Sequence, residues 1–257
     1  VIITFNEELH IKRCIDLCKK ITNRIYIIDS YSSDKTVDIA KNQGCTVYQN
    51  KFTSHARQFN WGVSQIKDDS EWIMRLDADE TIDEKLADEI INNININDPE
   101  ISAYSIRRKH IFMGKWIRHG GRYPLIMTRI WRKGFATVED RWMDEHVTVK
   151  SGKIKTLSNP FADHNLNGTK YLLSKHNGYA DREALQNILE KLEINTLKEN
   201  HKIPLQAKIK RKIKSNIYNK LPFWMAPTLY YAYRMFIQLG FLDGKEGIIY
   251  HTTQGFI

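Results

Sequence analysis

The sequence predicts an α/β protein with a mixed, mainly parallel sheet flanked by helices and a helical C-terminal extension. Between residues 1 and 92, short apolar runs alternate with segments of helical period. Strands that alternate with helices indicate right-handed βαβ units and a parallel sheet. After this region the pattern changes to segments typical of antiparallel strands, and then to a long helical stretch at 169–200.

Local composition predicts each element of the first half. Continuous apolar runs indicate buried parallel strands. These runs lie at 1–5, 24–29, 45–49 and 71–77. Apolar residues of helical period predict helices at 6–20, 37–44, 54–66 and 81–94. Gly44 is a C-terminal stop for the second helix, and Asp83 is the predicted start of the fourth.

Beyond residue 100, three further segments predict strands, at 101–112, 124–134 and 146–152. The first of them alternates between polar and apolar residues, which is typical of an edge or antiparallel strand. The later change to a helical pattern divides the chain into an α/β domain, 1–165, and a helical, basic extension, 166–257.

The bulk composition favours a protein of a reducing compartment with an anionic partner. The 257 residues carry a formal net charge of +9, which suggests nucleic acid, a phosphorylated substrate or an acidic membrane surface. The three cysteines are an odd, sparse set and argue against a disulfide scaffold. No apolar run in the sequence is long enough to span a bilayer. Because Val1 lies inside a predicted strand, we expect a trimmed or truncated chain.

Polar side chains follow three of the predicted parallel strands, at the ends where ligands bind in an open α/β sheet. They are Thr4, Asn6 and Glu7 after the first strand, Asp29 after the second, and Asp77, Asp79 and Glu80 after the fourth. We therefore expect these strand ends to face one crevice. Two carboxylates at such close spacing favour a hydrated Mg²⁺ or Mn²⁺ that bridges to phosphate oxygens. The alternative is that Asp79 or Thr81 caps the helix that begins near Asp83.

Four motifs of the first half resemble, in order and spacing, the family 2 glycosyltransferases of the GT-A fold. The motifs are VIITFNEE, IYIIDSYSSDKTVDIA, HARQFNWGV and IMRLDADE. The resemblance continues through GGRYPLIMTRIWRKG, WMDEHV, DHNLN and GFLDGKEG. The most similar enzymes are bacterial ones that build lipopolysaccharide core, capsule or exopolysaccharide. The resemblance implies that residues 1–165 bind a nucleotide-sugar and carry the catalytic site.

The resemblance also implies nucleotide-binding roles for matching positions. Thr4, Asn6 and Glu7 would line the base and ribose, and Asp29 would bond to the base, which is expected to be uracil. Arg57 would approach the nucleotide from the helix after the third strand, since arginine suits phosphate or a flat base. The alternative for Asp29 is a turn residue at the start of the following loop.

A divalent metal, Mn²⁺ or Mg²⁺, is implied at the fourth strand end. Asp77 would contact the ribose or the metal, and Asp79 would hold the metal on the diphosphate. His164 could complete the metal shell, because imidazole is an acceptable Mn²⁺ ligand, although a lone histidine can also be structural. Asp34, by contrast, is predicted to cap the second helix.

Sugar transfer with inversion needs a base that deprotonates the acceptor hydroxyl as it attacks the anomeric carbon. Similar enzymes place an acid at the end of a loop beside the acceptor, and the segment EDRWMDEHV occupies the matching place here. We predict Glu145 as the base, with Asp144 as the close alternative and the pair Glu139 and Asp140 as a third. These acids could otherwise offset a basic face.

Aromatic and glycine residues near this segment are candidates for the acceptor site. Aromatic rings can stack on the apolar faces of a sugar, or they can belong to the core. The candidates are Trp116, Tyr123 and Trp142. Gly120 and Gly121, beside His119, are typical of a loop that approaches a ligand closely.

The C-terminal part of the sequence predicts contact with a membrane surface. Residues 205–220 combine clustered basic residues with an apolar stripe, and the aromatic, apolar segment 223–241 follows. Such a pattern is typical of a membrane-surface anchor, or of a helical pair packed on the core. The anchor fits a cytoplasmic enzyme, peripheral at the inner face of the cell membrane. We expect a UDP-sugar donor and a saccharide or lipid-linked saccharide acceptor.

Two other functions are compatible with parts of the sequence. A sugar-nucleotide-forming nucleotidyltransferase would have a Gly-rich loop with arginine after the first strand, where this chain reads FNEELHIKR. A nonenzymatic module that binds nucleic acid or membrane would explain the net charge, but it has no use for acids that converge at strand ends. We therefore expect no nucleic-acid partner.

Overall fold

The computed structural model describes residues 1–140, 145–168, 222 and 225–256, together with isolated residues between 170 and 188. A four-stranded parallel sheet forms its N-terminal part. In spatial order the strands are β3 (Thr46–Gln49), β2 (Tyr26–Asp29), β1 (Ile2–Thr4) and β5 (Leu76–Asp77). The helices that connect them are α1 (Ile11–Cys18), α2 (Thr36–Asn42) and α3 (His55–Gln65). All strand pairs in this sheet are parallel, which confirms the predicted βαβ units.

A seven-stranded mixed sheet shares a core with the parallel one. Its strands are β4 (Trp72–Met74), β6 (Glu80–Thr81), β7 (Ile101–Phe112), β8 (Lys115–Ile117), β9 (Leu125–Arg132), β12 (Lys153–Thr156) and β13 (Phe161–Asp163). A separate ribbon joins β10 (Ala136–Val138) to β11 (Val147–Val149). The long strand β7 pairs antiparallel with β8 and β9 and parallel with β12 and β13. It is thus antiparallel to two neighbours, as predicted, but it lies in the middle of the sheet and not at an edge.

The prediction of a single strand at 71–77 is wrong, because this segment divides between the two sheets. Its first part is β4, which pairs antiparallel with β9, and its last part is β5. The chain changes sheets at Arg75, whose N–H donates to the Arg129 carbonyl, whereas the next N–H, of Leu76, donates to the Val1 carbonyl. A charged side chain in the middle of the apolar run marks this point.

Carboxylates accept backbone N–H groups at the starts of α2 and α4 (Glu84–Ile96), where the sequence predicts caps, although the N-cap position of α2 is Lys35. The helix α4 begins after Asp83, whose carboxylate accepts the Leu86 N–H at 3.0 Å. The Asp34 carboxylate accepts the Thr36 N–H at 3.0 Å, at the start of α2. Each cap satisfies a backbone donor that the first helical turn leaves unpaired.

The main apolar core lies between the parallel sheet, α1, α4 and the mixed sheet. Cys14 and Cys18 are buried in it, in agreement with the packing role predicted for them. A second cluster packs α3 against β4 and β9, through Phe59, Ile73 and Trp131. These two cores fix the parallel sheet relative to the mixed sheet, and therefore position the strand ends that carry the polar residues.

The C-terminal part of the described chain is helical. It consists of α5 (Met225–Ala232), a π-helical turn (Tyr233–Ile237), a 3₁₀ turn (Gly240–Asp243) and α6 (Gly244–Phe256). The basic stretch at 205–220 lies outside the described residues, and the predicted helix at 169–200 lies largely outside them. Within the described part of the chain, no helix has the length and apolar character needed to cross a membrane.

Candidate active site

The carboxyl ends of β1, β2 and β5 lie side by side at one edge of the parallel sheet. The register pairs Thr4 with Asp29 and Ile3 with Asp77. The Thr4 hydroxyl donates to Asp29 Oδ1 at 3.0 Å. As expected, these strand ends lie at one edge of the sheet, because neighbouring parallel strands end at the same edge.

Asp29 lies at the centre of the loops that follow β1 and β2. It is fully buried, and its carboxylate accepts the Ser32 N–H at 2.9 Å, the Ser32 hydroxyl at 2.5 Å and the Gln49 amide at 3.2 Å. Asn6, at φ +55°, accepts the Ser33 N–H at 2.8 Å through its side-chain oxygen. Both side chains therefore hold the loops together, and their assignment to the nucleotide stays a prediction.

Glu7 takes part in a contact that joins the first loop to the segment after β13. The Leu166 N–H donates to His10 Nε2 at 2.9 Å, and His10 Nδ1 lies 2.6 Å from Glu7 Oε2. Because Nε2 accepts a hydrogen bond, Nδ1 carries the proton and donates to the Glu7 carboxylate. His10 is 1% exposed and was missed in the sequence; a histidine inside an apolar helical face was its signal.

Glu80, the third acid of the cluster, has a structural role. Its side chain is 2% exposed, forms an ion pair with Arg129 and accepts the Asp77 N–H at 3.0 Å. Burial raises the pKa of Glu80 to about 8; Arg129 opposes this shift and the Asp77 carboxylate adds to it. Glu80 thus holds the backbone of Asp77 in place and is directed into the core.

Two buried arginines hold the acids of the site, and neither was predicted. Arg75 Nε lies 3.7 Å from Asp77 Oδ1, and Arg129 Nη2 lies 3.7 Å from Asp77 Oδ2. Arg75 also donates to Glu145 Oε1 at 3.3 Å. It therefore links the predicted base to the acid at the end of β5. The signal in the sequence was a charged residue within each of two apolar strands, since such residues are rarely buried unless paired.

Backbone and amide hydrogen bonds join the Asp79 segment to His164 and Asn165, and the assignment of Asp79 and His164 to a metal stays a prediction. The His164 N–H donates to the Asp79 carbonyl at 3.0 Å, and the Asn165 amide donates to Asp79 Oδ2 at 2.9 Å. Arg13 donates to the His164 carbonyl at 2.6 Å and lies 3.2 Å from its Nδ1. Since arginine can only donate, His164 Nδ1 accepts, and Nε2 carries the ring proton. Burial and the Arg13 charge lower the pKa of His164, so the ring is held neutral.

The residues present fit a divalent cation in part. The carboxylates of Asp77 and Asp79 are hard oxygen ligands of the kind that Mg²⁺ and Mn²⁺ prefer. The His164 nitrogens are used otherwise: Nδ1 faces Arg13, and Nε2 is protonated. No cluster of three or more potential metal-ligating side chains occurs within 1–140, 145–168 and 225–256. A cation at this edge would thus be coordinated by carboxylates and water. His164 would become a ligand only if Arg13 moved away from its Nδ1.

The candidates for the catalytic base differ in burial and in their partners. Glu145 is mostly buried beside Arg75, with a side chain 16% exposed. Asp140 forms an exposed, bidentate pair with Arg57, at 3.0 and 3.1 Å from its Nε. The Glu139 carboxylate accepts the His146 N–H at 3.3 Å. Asp144 and Trp142 lie outside the described residues.

The loop that contains Gly120 and Gly121 contacts the C-terminal helices. Both glycines have positive φ, and a Cβ at Gly120 would lie 2.1 Å from the His251 ring. The close approach predicted for a ligand is thus made by a side chain of α6. Trp116 and Tyr123 meet edge to face, with ring centroids 4.9 Å apart.

Comparison with known proteins places this architecture in a family. The family model described as "Glycosyl transferase family 2" matches residues 1–166. Glycosyltransferase RP128 of Rickettsia prowazekii is 29% identical over 192 residues, which cover 71% of this chain and 65% of the relative. A glycosyltransferase of Rickettsia bellii is 30% identical over 198 residues, with the same coverage. The matched part therefore spans about two-thirds of the length of these relatives.

Solved structures agree with the fold. The structure of TarS from S. aureus in complex with UDP-GlcNAc is similar with a TM-score of 0.52 over 99% of this chain and 88% of that one, at 12% identity. This similarity supports the GT-A type of architecture that the sequence motifs implied, with a parallel sheet, a mixed sheet and C-terminal helices. Because the family model covers more than half of the chain, the protein belongs to glycosyl transferase family 2.

Proposed function

We propose that this protein is a metal-dependent, inverting glycosyltransferase that moves a sugar from a UDP-sugar to a saccharide or lipid-linked saccharide. The observation that carries the proposal is the position of Asp77. Its carboxylate lies at the end of β5, two residues before Asp79, which is hydrogen-bonded to His164. Arg75 contacts both Asp77 and Glu145. Groups suited to the donor diphosphate and to the acceptor hydroxyl are thus neighbours in one site.

The reaction would be a single displacement at the anomeric carbon. Glu145 accepts the proton of the acceptor hydroxyl as its oxygen attacks, and UDP leaves from the opposite face of the sugar. The divalent metal, when bound by Asp79 and Asp77, supplies positive charge for the leaving diphosphate. Arg75 holds the Glu145 carboxylate in a fixed position and keeps it close to the donor.

The nucleotide would lie over the ends of β1 and β2. Thr4, Asn6, Glu7 and Asp29 would line this part of the site, and the loops that they join would provide its walls. Arg57, which is 61% exposed and bound to Asp140, would exchange this exposed partner for phosphate or the base. Such an exchange costs little, because water and salt screen an exposed ion pair.

The acceptor and the location follow from the basic C-terminal extension. We propose a role in the synthesis of cell-envelope polysaccharide, at the inner face of the cell membrane. The net charge of +9 supports contact with an anionic membrane surface. Side chains at the helical C-terminal turns add apolar surface, since Phe236 is 63% and Ile237 is 70% exposed.

The first test is thermal melting with UDP, GDP, CMP, ADP and dTDP, each with and without Mn²⁺. A ligand that binds only the folded state raises the melting temperature. We expect the largest shift with UDP, and only when Mn²⁺ is present. A larger shift with GDP or dTDP would change the donor but keep the reaction, and no shift with any nucleotide would contradict the proposal.

A further inference from the structure

Basic and histidine side chains gather where the 118–122 loop meets the C-terminal helices. We call this group the arginine seam: Arg108, Arg122, Arg234, His110, Tyr250 and His251. The loop is held firmly. The His119 N–H and Nδ1 each lie 2.8 Å from the Asp243 carboxylate, and the Gly120 N–H donates to the Gln238 carbonyl at 2.8 Å. The seam is therefore a built part of the fold.

The seam carries more positive than negative charge. Arg234 is 5% exposed, and its hydrogen bonds go to two neutral oxygens, the Gly120 carbonyl and the Tyr230 hydroxyl. Among the described residues, no carboxylate lies within 4.0 Å of Arg234 or Arg122. Of the acids nearby, Asp243 holds His119, while Asp163 holds His110, lies 3.6 Å from Arg108 and also interacts with the charge of Arg122. A buried guanidinium without a counter-ion is costly, which favours an anion at this place.

Several buried polar atoms of the seam have no partner within the described part of the chain. They are His110 Nε2, Arg122 Nε and both ring nitrogens of His251. Burial, and next the Arg234 charge, lower the pKa of His251 to about 4, so this ring is neutral at pH 7. The Arg122 guanidinium lies 5.1 Å from the Tyr250 ring centroid. Native structures rarely leave so many polar atoms unpaired, unless water or a ligand satisfies them.

The seam adjoins the catalytic edge on the side away from the nucleotide. His110 Nδ1 contacts Asp163 Oδ2 at 3.1 Å, and the next residue, His164, bonds to Asp79. In the sheet, Asp163 is paired with Glu80 on one side and His110 on the other. From β5 of the parallel sheet the chain passes to β6 at the edge of the mixed sheet, where β13 and then β7 follow, and the seam begins at β7.

We propose that the arginine seam binds a phosphate group of the acceptor. The proposal rests on the proposed function, in which the donor diphosphate occupies Asp77 and Asp79, so that the seam takes a second anion. Guanidinium groups bind phosphate through paired N–H donors, and in the described part of the chain no hydrogen bond joins Arg122 or Arg234 to a carboxylate. The acceptor would then be a phosphorylated saccharide or a saccharide joined to a lipid phosphate.

The test measures the binding of inorganic phosphate to the full chain by calorimetry and by thermal melting, both at constant ionic strength. We expect phosphate to bind equally well to the free protein and to the protein saturated with UDP and Mn²⁺. Loss of phosphate binding on saturation with UDP would place the anion in the donor site and overturn the proposal. Absence of any binding, free or saturated, would overturn it as well.

The Arg122→Gln variant removes one charge from the half-buried part of the seam. We expect it to bind phosphate about 10- to 100-fold more weakly, as for loss of a charge-assisted hydrogen bond, with its response to UDP unchanged. The matched control is Arg24→Gln, an exposed arginine paired with Asp69, which should bind phosphate normally. Equal affinities in the two variants would overturn the proposal.

Two further probes distinguish the sources of the phosphate. Tighter binding of farnesyl monophosphate than of glucose 6-phosphate would assign a lipid-linked acceptor, and the reverse order a phosphorylated saccharide. A protein that fails to respond to UDP contradicts the proposed function, whereas one that responds to UDP but not to phosphate contradicts the seam alone.

Discussion

Replacing Arg129 by methionine tests whether the buried ion pair below the site organises its acids. Arg129 and Glu80 are each 2% exposed, and Glu80 in turn fixes the Asp77 backbone. Methionine has a similar length but no charge. The Arg129→Met variant therefore leaves the Glu80 carboxylate buried without its cation.

The expected loss of stability is large. Removal of one partner of a buried ion pair costs about 3–5 kcal/mol. At about 2–4 °C per kcal/mol for a chain of this size, the melting temperature should fall by roughly 6–20 °C. The double variant Glu80→Gln, Arg129→Met removes both charges of this pair and should recover most of the loss.

The loss should also depend on pH. In the parent protein, burial raises the pKa of Glu80 to about 8, against the lowering effect of Arg129. Without Arg129 this pKa rises further. Because the folded state then binds the proton more tightly than the unfolded state, stability falls as pH rises from the unfolded pKa through the folded one. The Arg129→Met variant should therefore lose less stability, relative to the parent protein, at pH 6 than at pH 8.5.

Urea denaturation with EDTA at both pH values measures these effects. The parent protein and the double variant are the controls. At pH 8.5, a loss for Arg129→Met within about 0.5 kcal/mol, as for an ordinary surface substitution, would refute the buried-pair reasoning. An equal loss at both pH values would refute the argument about the Glu80 proton.

Three other substitutions test the site and its support. Asp79→Asn should abolish transfer and Mn²⁺-dependent UDP binding, measured by melting shifts, with the fold intact by circular dichroism; full activity would exclude a metal role. Glu145→Gln should keep the UDP response but lose transfer from a UDP-sugar, and retained transfer would assign the base elsewhere. Gly120→Ala should destabilise the protein by about 1–3 kcal/mol through its φ of +64°, and by a further amount because its Cβ would overlap His251. Gly114→Ala, at φ +76° with open space around it, is the control, and an equal loss in urea would rule out the overlap.

The acid cluster at the end of β5 has three different roles, although its residues are close in sequence. Asp77 lies between two buried arginines, and Asp79 is attached to the segment after β13. Glu80 is directed into the core toward Arg129. The reason is the path of the chain, which passes from the parallel sheet at Asp77 to the mixed sheet at Glu80 within three residues.

Local patterns were enough to predict the parallel sheet and the start of α4, whereas the first helix begins at Ile11, five residues later than predicted. The apolar runs of β1, β2 and β3 and the Asp83 cap depend on neighbouring residues only, and the structure agrees with each. The convergence of Thr4, Asp29 and Asp77 was predictable too. Parallel strands in adjacent positions must end at the same edge, whatever the rest of the fold does.

Only the tertiary structure decided which groups face one another. The division of 71–77 between two sheets, the contact of Arg75 with Glu145 and the contact of His251 with Gly120 all join segments far apart in the chain. The pattern of apolar and polar residues indicates which side chains are buried. It therefore determined the helices, the strands and the polar residues at the strand ends. The packing of the two sheets and the C-terminal helices determined the partners of three buried charges, Arg75, Arg129 and Arg234. A buried charge needs a partner close in space, and that partner can lie far away along the chain.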